Sequence, residues 1–330
     1  MTTHARPLRT PLGAALLTLC LLIGLAGCDS DPSPSAKNTG KTGKPWKTGK
    51  PAPKTGAPQA SASQADVTRR LLQLEKARDV RVGAYAIDTG TGQVLAHRAD
   101  ERFPFASSFK VMACAAVLRK ARRTDPGLMD RVIRYGRNDL SAFSPETEKH
   151  VGTGMTVAEL CRATITRSDN TAANLLLKQI GGPQGLTAFF RSLGDTVSRS
   201  DRVEPGLNRW RPGELRDTTT PAPWARNLQA LTVGDALVPA DRARLVAWMK
   251  ATVTGGERIR AGLPGGWTVG DKTGTAGVHG NANDIAVVWP PSGAPLILAV
   301  LITRPDADAE ADDKAVAATA GILAHGLRPS

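Results

Sequence analysis

Hydrophobic periodicity divides this chain into an apolar leader, a long polar stretch and a much longer region of short patterned segments. The leader's apolar run, from about Leu12 to Gly27, follows Arg6 and Arg9 and is too short for a comfortable bilayer span. From Asp29 to about Gln64 the pattern disappears. Lys, Thr, Gly, Pro, Ser and Ala dominate there, with near-repeats at Lys41-Thr42-Gly43, Lys47-Thr48-Gly49 and Lys54-Thr55-Gly56. That composition cannot bury apolar surface, so it predicts a disordered tether spanning roughly 33 Å root-mean-square. Patterned structure begins near Asp66, placed to cap a helix carrying Val67, Leu71 and Leu74 on one face. Val82 to Ile87 predicts a strand, Asp88-Thr89-Gly90-Thr91-Gly92 a turn, and Gln93 to His97 the hairpin partner. From Ser107 to about Val253 helical patterns dominate. After Pro264 come three strands, Trp267 to Thr273, Asp284 to Trp289 and Pro295 to Thr303, then an alanine-rich helix over about Ala307 to His325. Strands from both ends with helices between predict an α/β (α+β) fold: one antiparallel sheet with flanking helices and an inserted all-helical lobe. The predicted boundaries are a leader at 1–27, a tether at 28–64 and one folded domain at 65–330. Its α/β part takes about 65–105 and 255–330, its helical part about 106–254.

The formal net charge of +13 over 330 residues points to nucleic acid or a membrane surface until it is apportioned. Residues 1–65 hold eight Lys/Arg against two Asp, which leaves +7 for the rest. No basic run with interleaved aromatics appears, so a nucleic-acid partner is not expected. The leader closes on Leu25-Ala26-Gly27-Cys28, which resembles a bacterial lipobox. Cys28 would then carry lipid as the first residue of the mature chain, anchoring the protein to the outer face of the cell membrane, with part of it released. Cys20 leaves with the leader. Cys114 and Cys161 remain in an exported chain, either bridged or as two unpaired core thiols. A bridge would stabilise by on the order of 4 kcal/mol in the chain-entropy model.

The richest chemistry lies in Phe105-Ala106-Ser107-Ser108-Phe109-Lys110, which opens an apolar run continuing to Leu118 and predicts a buried helix. Ser107 and Lys110 stand one turn apart on one helical face. An amine there can take or stabilise the proton that a hydroxyl must lose to become a nucleophile, and a helix N-terminus favours a developing oxyanion. Ser168-Asp169-Asn170 supplies a hydroxyl for proton relay and an amide for a polar substrate group. Glu204-Pro205-Gly206-Leu207-Asn208 supplies a carboxylate to activate a water and an amide to orient it. The ends of that loop, Arg202 and Asp217, carry opposite charges able to clasp it. Lys272-Thr273-Gly274-Thr275, at a strand end, brings a cation, two hydroxyls and a glycine that lets backbone approach a ligand. Arg258 can bind a carboxylate as a bidentate fork. His97, His150, His279 and His325 are scattered without ligand spacing, so no metal or other cofactor is expected.

The order and spacing of these stretches resemble the class A β-lactamases, over about Asp66 to Arg328. The likeness extends to Phe143-Ser144-Pro145-Glu146-Thr147-Glu148-Lys149-His150, to Arg216-Asp217-Thr218-Thr219-Thr220-Pro221 and to Asn283-Asp284-Ile285-Ala286-Val287-Val288-Trp289-Pro290. It implies a serine β-lactamase/D,D-peptidase-like fold and hydrolysis of penicillins and cephalosporins, giving antibiotic resistance. By the same resemblance Ser107 attacks the β-lactam carbonyl, the N–H groups of Ser107 and Thr275 hold the oxyanion, and Ser168 passes a proton to the departing nitrogen. Asn170 holds the drug's side-chain amide, and Lys272, Thr273, Gly274 and Thr275 line the substrate site. Glu204 with Asn208 positions the water that frees the enzyme. Either Lys110, or Glu204 through water, serves as the acylation base. The Glu204–Pro205 bond is expected cis. Phe143 replaces another aromatic at the pocket mouth, and Cys114 and Cys161 match a disulfide of several members. No arginine lies between Gly274 and Ile285, so Arg258 takes the carboxylate-binding role used in one branch. Ala106 and Ala276 stand where family carbapenemases hold a disulfide pair, which argues against that specialisation. The alternatives are a D,D-peptidase or penicillin-binding protein, and a non-catalytic penicillin-sensing lipoprotein. A peptidase lacks a base placed as Glu204 is, and a sensor should have lost Glu204 or Lys110. A monomer is expected.

Overall fold

The computed structural model describes residues 57–328; the leader, Cys20, Cys28 and most of the expected tether lie outside them. In chain order the first elements are α1 (Ala57–Arg78), β1 (Arg81–Asp88), β2 (Val94–His97), β3 (Phe103–Pro104) and α2 (Phe109–Arg123). Next come β4 (Val132–Ile133), β5 (Met155–Thr156), α3 (Val157–Thr166), α4 (Asn170–Gln179) and α5 (Gly182–Ser192). The chain closes with β6 (Thr218–Thr219), α6 (Pro221–Thr232), α7 (Pro239–Lys250), β7 (Thr268–Gly274), β8 (Ala282–Trp289), β9 (Leu296–Thr303) and α8 (Asp313–Leu327). Among the described residues no helix is long and apolar enough to cross a membrane.

Five strands form one antiparallel sheet in the order β2-β1-β9-β8-β7, so its strands come from both ends of the domain. β9, Leu296-Ile297-Leu298-Ala299-Val300-Leu301-Ile302-Thr303, is apolar on both faces and takes the centre, where both faces are covered. Successive side chains point to opposite sides, and this alternation separates two cores. Ile297, Ala299 and Leu301 join Ile285, Val287, Phe105 and α2 on the side of the helical lobe. Leu296, Leu298, Val300 and Ile302 meet Val67 and Leu71 of α1 and Val316 and Leu323 of α8 on the other. From Phe109 to Leu118 every residue of α2 is buried, the expected fate of a helix apolar on all sides.

Several boundaries differ from the periodicity. α1 opens at Ala57, ahead of Asp66: Ala57 to Gln64 holds no glycine, and its one proline, Pro58, falls in the first turn, where a missing N–H is harmless. α8 opens at Asp313, later than Ala307, because the Asp312 side chain caps it by accepting the Ala315 N–H at 2.9 Å. Two-residue strands carry no readable period, yet the β3–β6 ladder has a consequence. With the Phe105 N–H donated to the Asp217 carbonyl at 3.2 Å, it ties the chain entering Ser107 to the end of the Glu204 loop.

The cysteine pairing is corrected: Cys114 and Cys161 are buried free thiols rather than a disulfide. The Cys114 thiol turns toward the Cys161 carbonyl oxygen at 3.7 Å. Burial holds the Cys114 thiol well above the ordinary thiol range.

Candidate active site

Ser107 lies in a 3₁₀ turn, Ala106–Ser108, that leads into α2, rather than in a full α-helical turn. Ala106 ahead of it is left-handed, with φ +43°, and Phe143 and Ser168 on the same cleft have φ +61° and +58°. Residues with a Cβ hold that conformation only when their surroundings impose it. Here Phe105 stacks on Trp224 at 5.5 Å, and the Trp224 indole N–H donates to Ser108 Oγ at 3.0 Å. Ser108 Oγ in turn donates to the Phe105 carbonyl at 2.6 Å. The end of β7 closes on this turn backbone to backbone. A Cβ on Gly274 would lie 2.8 Å from Phe105 O and 3.2 Å from Ser107 N, so only glycine fits.

Ser107 Oγ donates to Glu204 Oε1 at 3.1 Å, across 97 residues of sequence. Lys110, fully buried, spends its ammonium elsewhere than on Ser107. It donates to Ser168 O at 2.8 Å, Ser168 Oγ at 3.3 Å and Asn170 Oδ1 at 2.6 Å, and it pairs with Glu204 Oε1 at 3.3 Å. Lys272 reaches the same hydroxyl, donating to Ser168 Oγ at 3.0 Å and to its neighbour's carbonyl, Thr273 O, at 2.8 Å. Ser168 thus joins two buried amines. Burial pushes Lys110 below the usual lysine range, against the pull of Glu204. Lys272 is pushed down to about 7 by burial and then by the Lys110 charge.

Asp169 keeps Ser168 and Asn170 in place from between them. Its carboxylate accepts the N–H groups of Glu146 and Thr147 at 2.9 Å, Thr147 Oγ1 at 2.8 Å and the Ala172 N–H at 2.8 Å, the last as the cap of α4. An aspartate just before a helical pattern is a readable cap signal, but its grip on the Glu146 loop is not. The Asn170 amide donates to Ala142 O at 2.8 Å. Phe143 stands 64% exposed at the mouth of the cleft.

The Glu204 loop is held at two places. Arg202 Nε meets Asp217 Oδ2 at 2.5 Å, and Asp217 Oδ1 accepts the N–H groups of Asp201 and Arg202, which closes the base of the loop. Higher up, Asn174 of α4 clamps Glu204 itself, accepting its N–H at 2.9 Å and donating to its carbonyl at 2.8 Å. Sequence reasoning missed Asn174; its position four residues after Asn170, on one helical face, was the available signal. Asn208 Nδ2 donates to Glu204 Oε2 at 2.7 Å, while Asn208 Oδ1 is buried without a partner among the described residues. The Glu204–Pro205 bond is cis.

Along the β7 edge, Arg258 donates from Nη1 to Gly274 O at 2.9 Å and Asn283 O at 2.7 Å, from Nη2 to Thr275 Oγ1 at 2.7 Å, and from Nε to Asp313 at 2.9 Å. Thr273 Oγ1 bonds Thr254 Oγ1 at 2.8 Å. Between this edge, Ser107 and Asn208 opens a cleft of about 330 Å³, lined also by Ser168, Asn170 and Phe143. That volume suits a small ligand.

Nucleophilic acyl transfer requires a hydroxyl with a proton acceptor at hand, and this cleft supplies one. The model of the β-lactamase enzyme family matches residues 66–325. The chain is 53% identical over 261 residues to β-lactamase FAR-1 of Nocardia farcinica, covering 79% of this chain and 83% of that one. The crystal structure of a β-lactamase from Streptosporangium roseum superposes with a TM-score of 0.79 at 57% identity, covering 80% of this chain and 98% of the other. A mutant of the class A β-lactamase of the last common ancestor of Gram-negative bacteria gives 0.77 at 52%, covering 80% and 99%. The chain belongs to the class A β-lactamases, and its activity is that family's.

Proposed function

We propose that this β-lactamase hydrolyses penicillins and cephalosporins through an acyl-enzyme on Ser107, conferring antibiotic resistance, and that Glu204 releases the product. The observation that carries the reading is the 3.1 Å hydrogen bond from Ser107 Oγ to Glu204 Oε1, with Asn208 fixing the other oxygen at 2.7 Å. As Ser107 attacks the lactam carbonyl, its proton goes to Glu204; Lys110 supports this by stabilising the carboxylate rather than by touching the hydroxyl. The N–H groups of Ser107 and Thr275 receive the oxyanion, each such donor worth about 3–4 kcal/mol of barrier. The C–N bond then breaks, and Ser168, between the two lysines, gives its proton to the ring nitrogen. It is reprotonated from Lys110, which takes up the proton held on Glu204 across their 3.3 Å pair and leaves Glu204 a carboxylate again. In the second half, Glu204 takes a proton from a water that attacks the ester, and the unpartnered Asn208 Oδ1 accepts the water's other hydrogen. As the acyl–Oγ bond breaks, Glu204 returns the proton to Ser107 Oγ. Lys272, Thr275 and Arg258 suit a substrate carboxylate, and Asn170 a side-chain amide.

Steady-state hydrolysis of a penicillin and a cephalosporin by the full chain, beside Glu204→Ala, tests this. Turnover is expected from the parent; in the variant Lys110, one turn from Ser107, is left to take the hydroxyl's proton, so an adduct on Ser107 should form more slowly and then persist. A parent that acylates once and stalls would instead make the protein a D,D-peptidase or a sensor. The same proposal has the chain exported and acting as a monomer, held at the membrane by lipid on Cys28, a residue outside those described. Mass spectrometry of the membrane fraction should find that lipid; an unmodified N-terminus elsewhere refutes the anchor.

A further inference from the structure

We propose that Asn281 and Asn283 are positioning residues that set the spacing between the two oxyanion donors, the N–H groups of Ser107 and Thr275. This rests on acylation at Ser107. The two donors come from segments far apart in the chain: one from the turn before α2, the other from just beyond β7. No single element fixes their separation.

Two buried carboxamides join them. Asn283, with no exposed surface, donates from Nδ2 to Pro104 O at 2.7 Å, three residues ahead of Ser107. Its Oδ1 accepts from Asn281 Nδ2 at 2.9 Å and from the Ile302 N–H at 3.3 Å. Asn281, 1% exposed, completes the link: its Oδ1 accepts the N–H of Ala276, the residue after Thr275, at 3.1 Å. Its Nδ2 also donates to Ile302 O at 3.1 Å. A continuous chain of hydrogen bonds therefore runs from Pro104 through Asn283 and Asn281 to Ala276, braced on the central strand β9.

The orientation of each amide follows from its backbone partners. An oxygen must face the N–H groups of Ala276 and Ile302, and a nitrogen the carbonyls of Ile302 and Pro104. Turning either amide over would set like against like. A buried polar network satisfied in this way is rigid. Rigidity matters because an oxyanion hole works only when both donors stand 2.7–3.1 Å from one developing charge.

The test uses Asn281→Ala and Asn283→Ala in the full chain, with a chromogenic cephalosporin. Acylation should slow about 10- to 100-fold, the cost of a small misplacement of reacting groups. In a Glu204→Ala background, where the adduct accumulates, the infrared ester carbonyl band should move to higher frequency as the donors loosen. Val300→Ala, a core truncation in β9, is the control that loses stability and leaves both readouts unchanged. If Asn281→Ala does not fold, Asn281→Ser, which keeps a hydroxyl but not the reach, carries the same measurements. Folded variants with parental acylation and an unmoved band would overturn the proposal. Absence of any Ser107 adduct both in the parent quenched during turnover and in Glu204→Ala would instead overturn the acylation itself, and the proposal with it.

Discussion

Truncating Asn174 to alanine should damage deacylation without dismantling the fold. Glu204 sits on irregular backbone, so its carboxylate can be no better placed than its own N–H and carbonyl, and Asn174 holds both, at 2.9 and 2.8 Å. Each bond contributes about 1 kcal/mol net, and stranding the two backbone groups adds up to about 2 kcal/mol where they stay dry. The held loop therefore loses roughly 2–4 kcal/mol relative to a displaced one, and the Arg202–Asp217 pair still closes its base. If that whole difference falls on the step needing Glu204 and water, deacylation slows about 30- to 1000-fold. Rapid quenching followed by mass spectrometry separates the two half-reactions, and adduct on Ser107 should accumulate during turnover. Thermal unfolding gives the structural side, with a fall of about 4–8 °C for a 2 kcal/mol loss. Deacylation within threefold of the parent, despite a lower melting temperature, would refute the reasoning. It would mean that Asn208 and Ser107 suffice to hold the carboxylate.

Other outcomes follow from the same geometry. Lys272 titrates near 7, so kcat/KM for a carboxylate-bearing β-lactam should fall as pH rises through that value, and Lys272→Arg should remove the fall because a guanidinium stays charged. Equal falls in both proteins would assign the titration to another group. A lysine in the unfolded chain titrates near 10.4, so between about 7 and 10 the unfolded state holds a proton that the folded state lacks. Stability should therefore rise with pH across that window, and urea midpoints should climb more steeply in the parent than in Lys272→Met, where only Lys110 is left to contribute. Arg258→Lys loses the fork that reaches Gly274 O, Asn283 O and Thr275 Oγ1, and should raise KM for carboxylate-bearing substrates about tenfold with a smaller change in kcat. A loss confined to kcat would count against carboxylate binding. Trp224→Phe keeps the stacking on Phe105 but drops the bond to Ser108, and should cost about 1 kcal/mol, read as a melting shift of about 2–4 °C. An unchanged melting temperature would show that the turn is held without it.

By itself the sequence determined what is local. Short apolar runs bounded by turn residues placed β1, β2 and the three C-terminal strands, and the apolar run from Phe109 to Leu118, broken only by Lys110, marked α2 as central. Ser107, Lys110, Ser168, Asn170, Glu204 and Lys272, which meet at and beneath the cleft, were legible too, because the order and spacing of their stretches, each weak singly, together resemble the class A β-lactamases. Tertiary structure decided how they meet. Ser107 reaches across 97 residues to Glu204 rather than one turn to Lys110, and Lys272 finds Ser168 across 104. It also decided that the cysteines stay free thiols and that Ala106, Phe143 and Ser168 take a left-handed backbone. Asn174, Asn281 and Asn283 act through backbone groups of distant segments. The reason is physical: periodicity reports which face of an element is apolar, whereas a hydrogen bond between remote segments depends on the path of everything between them.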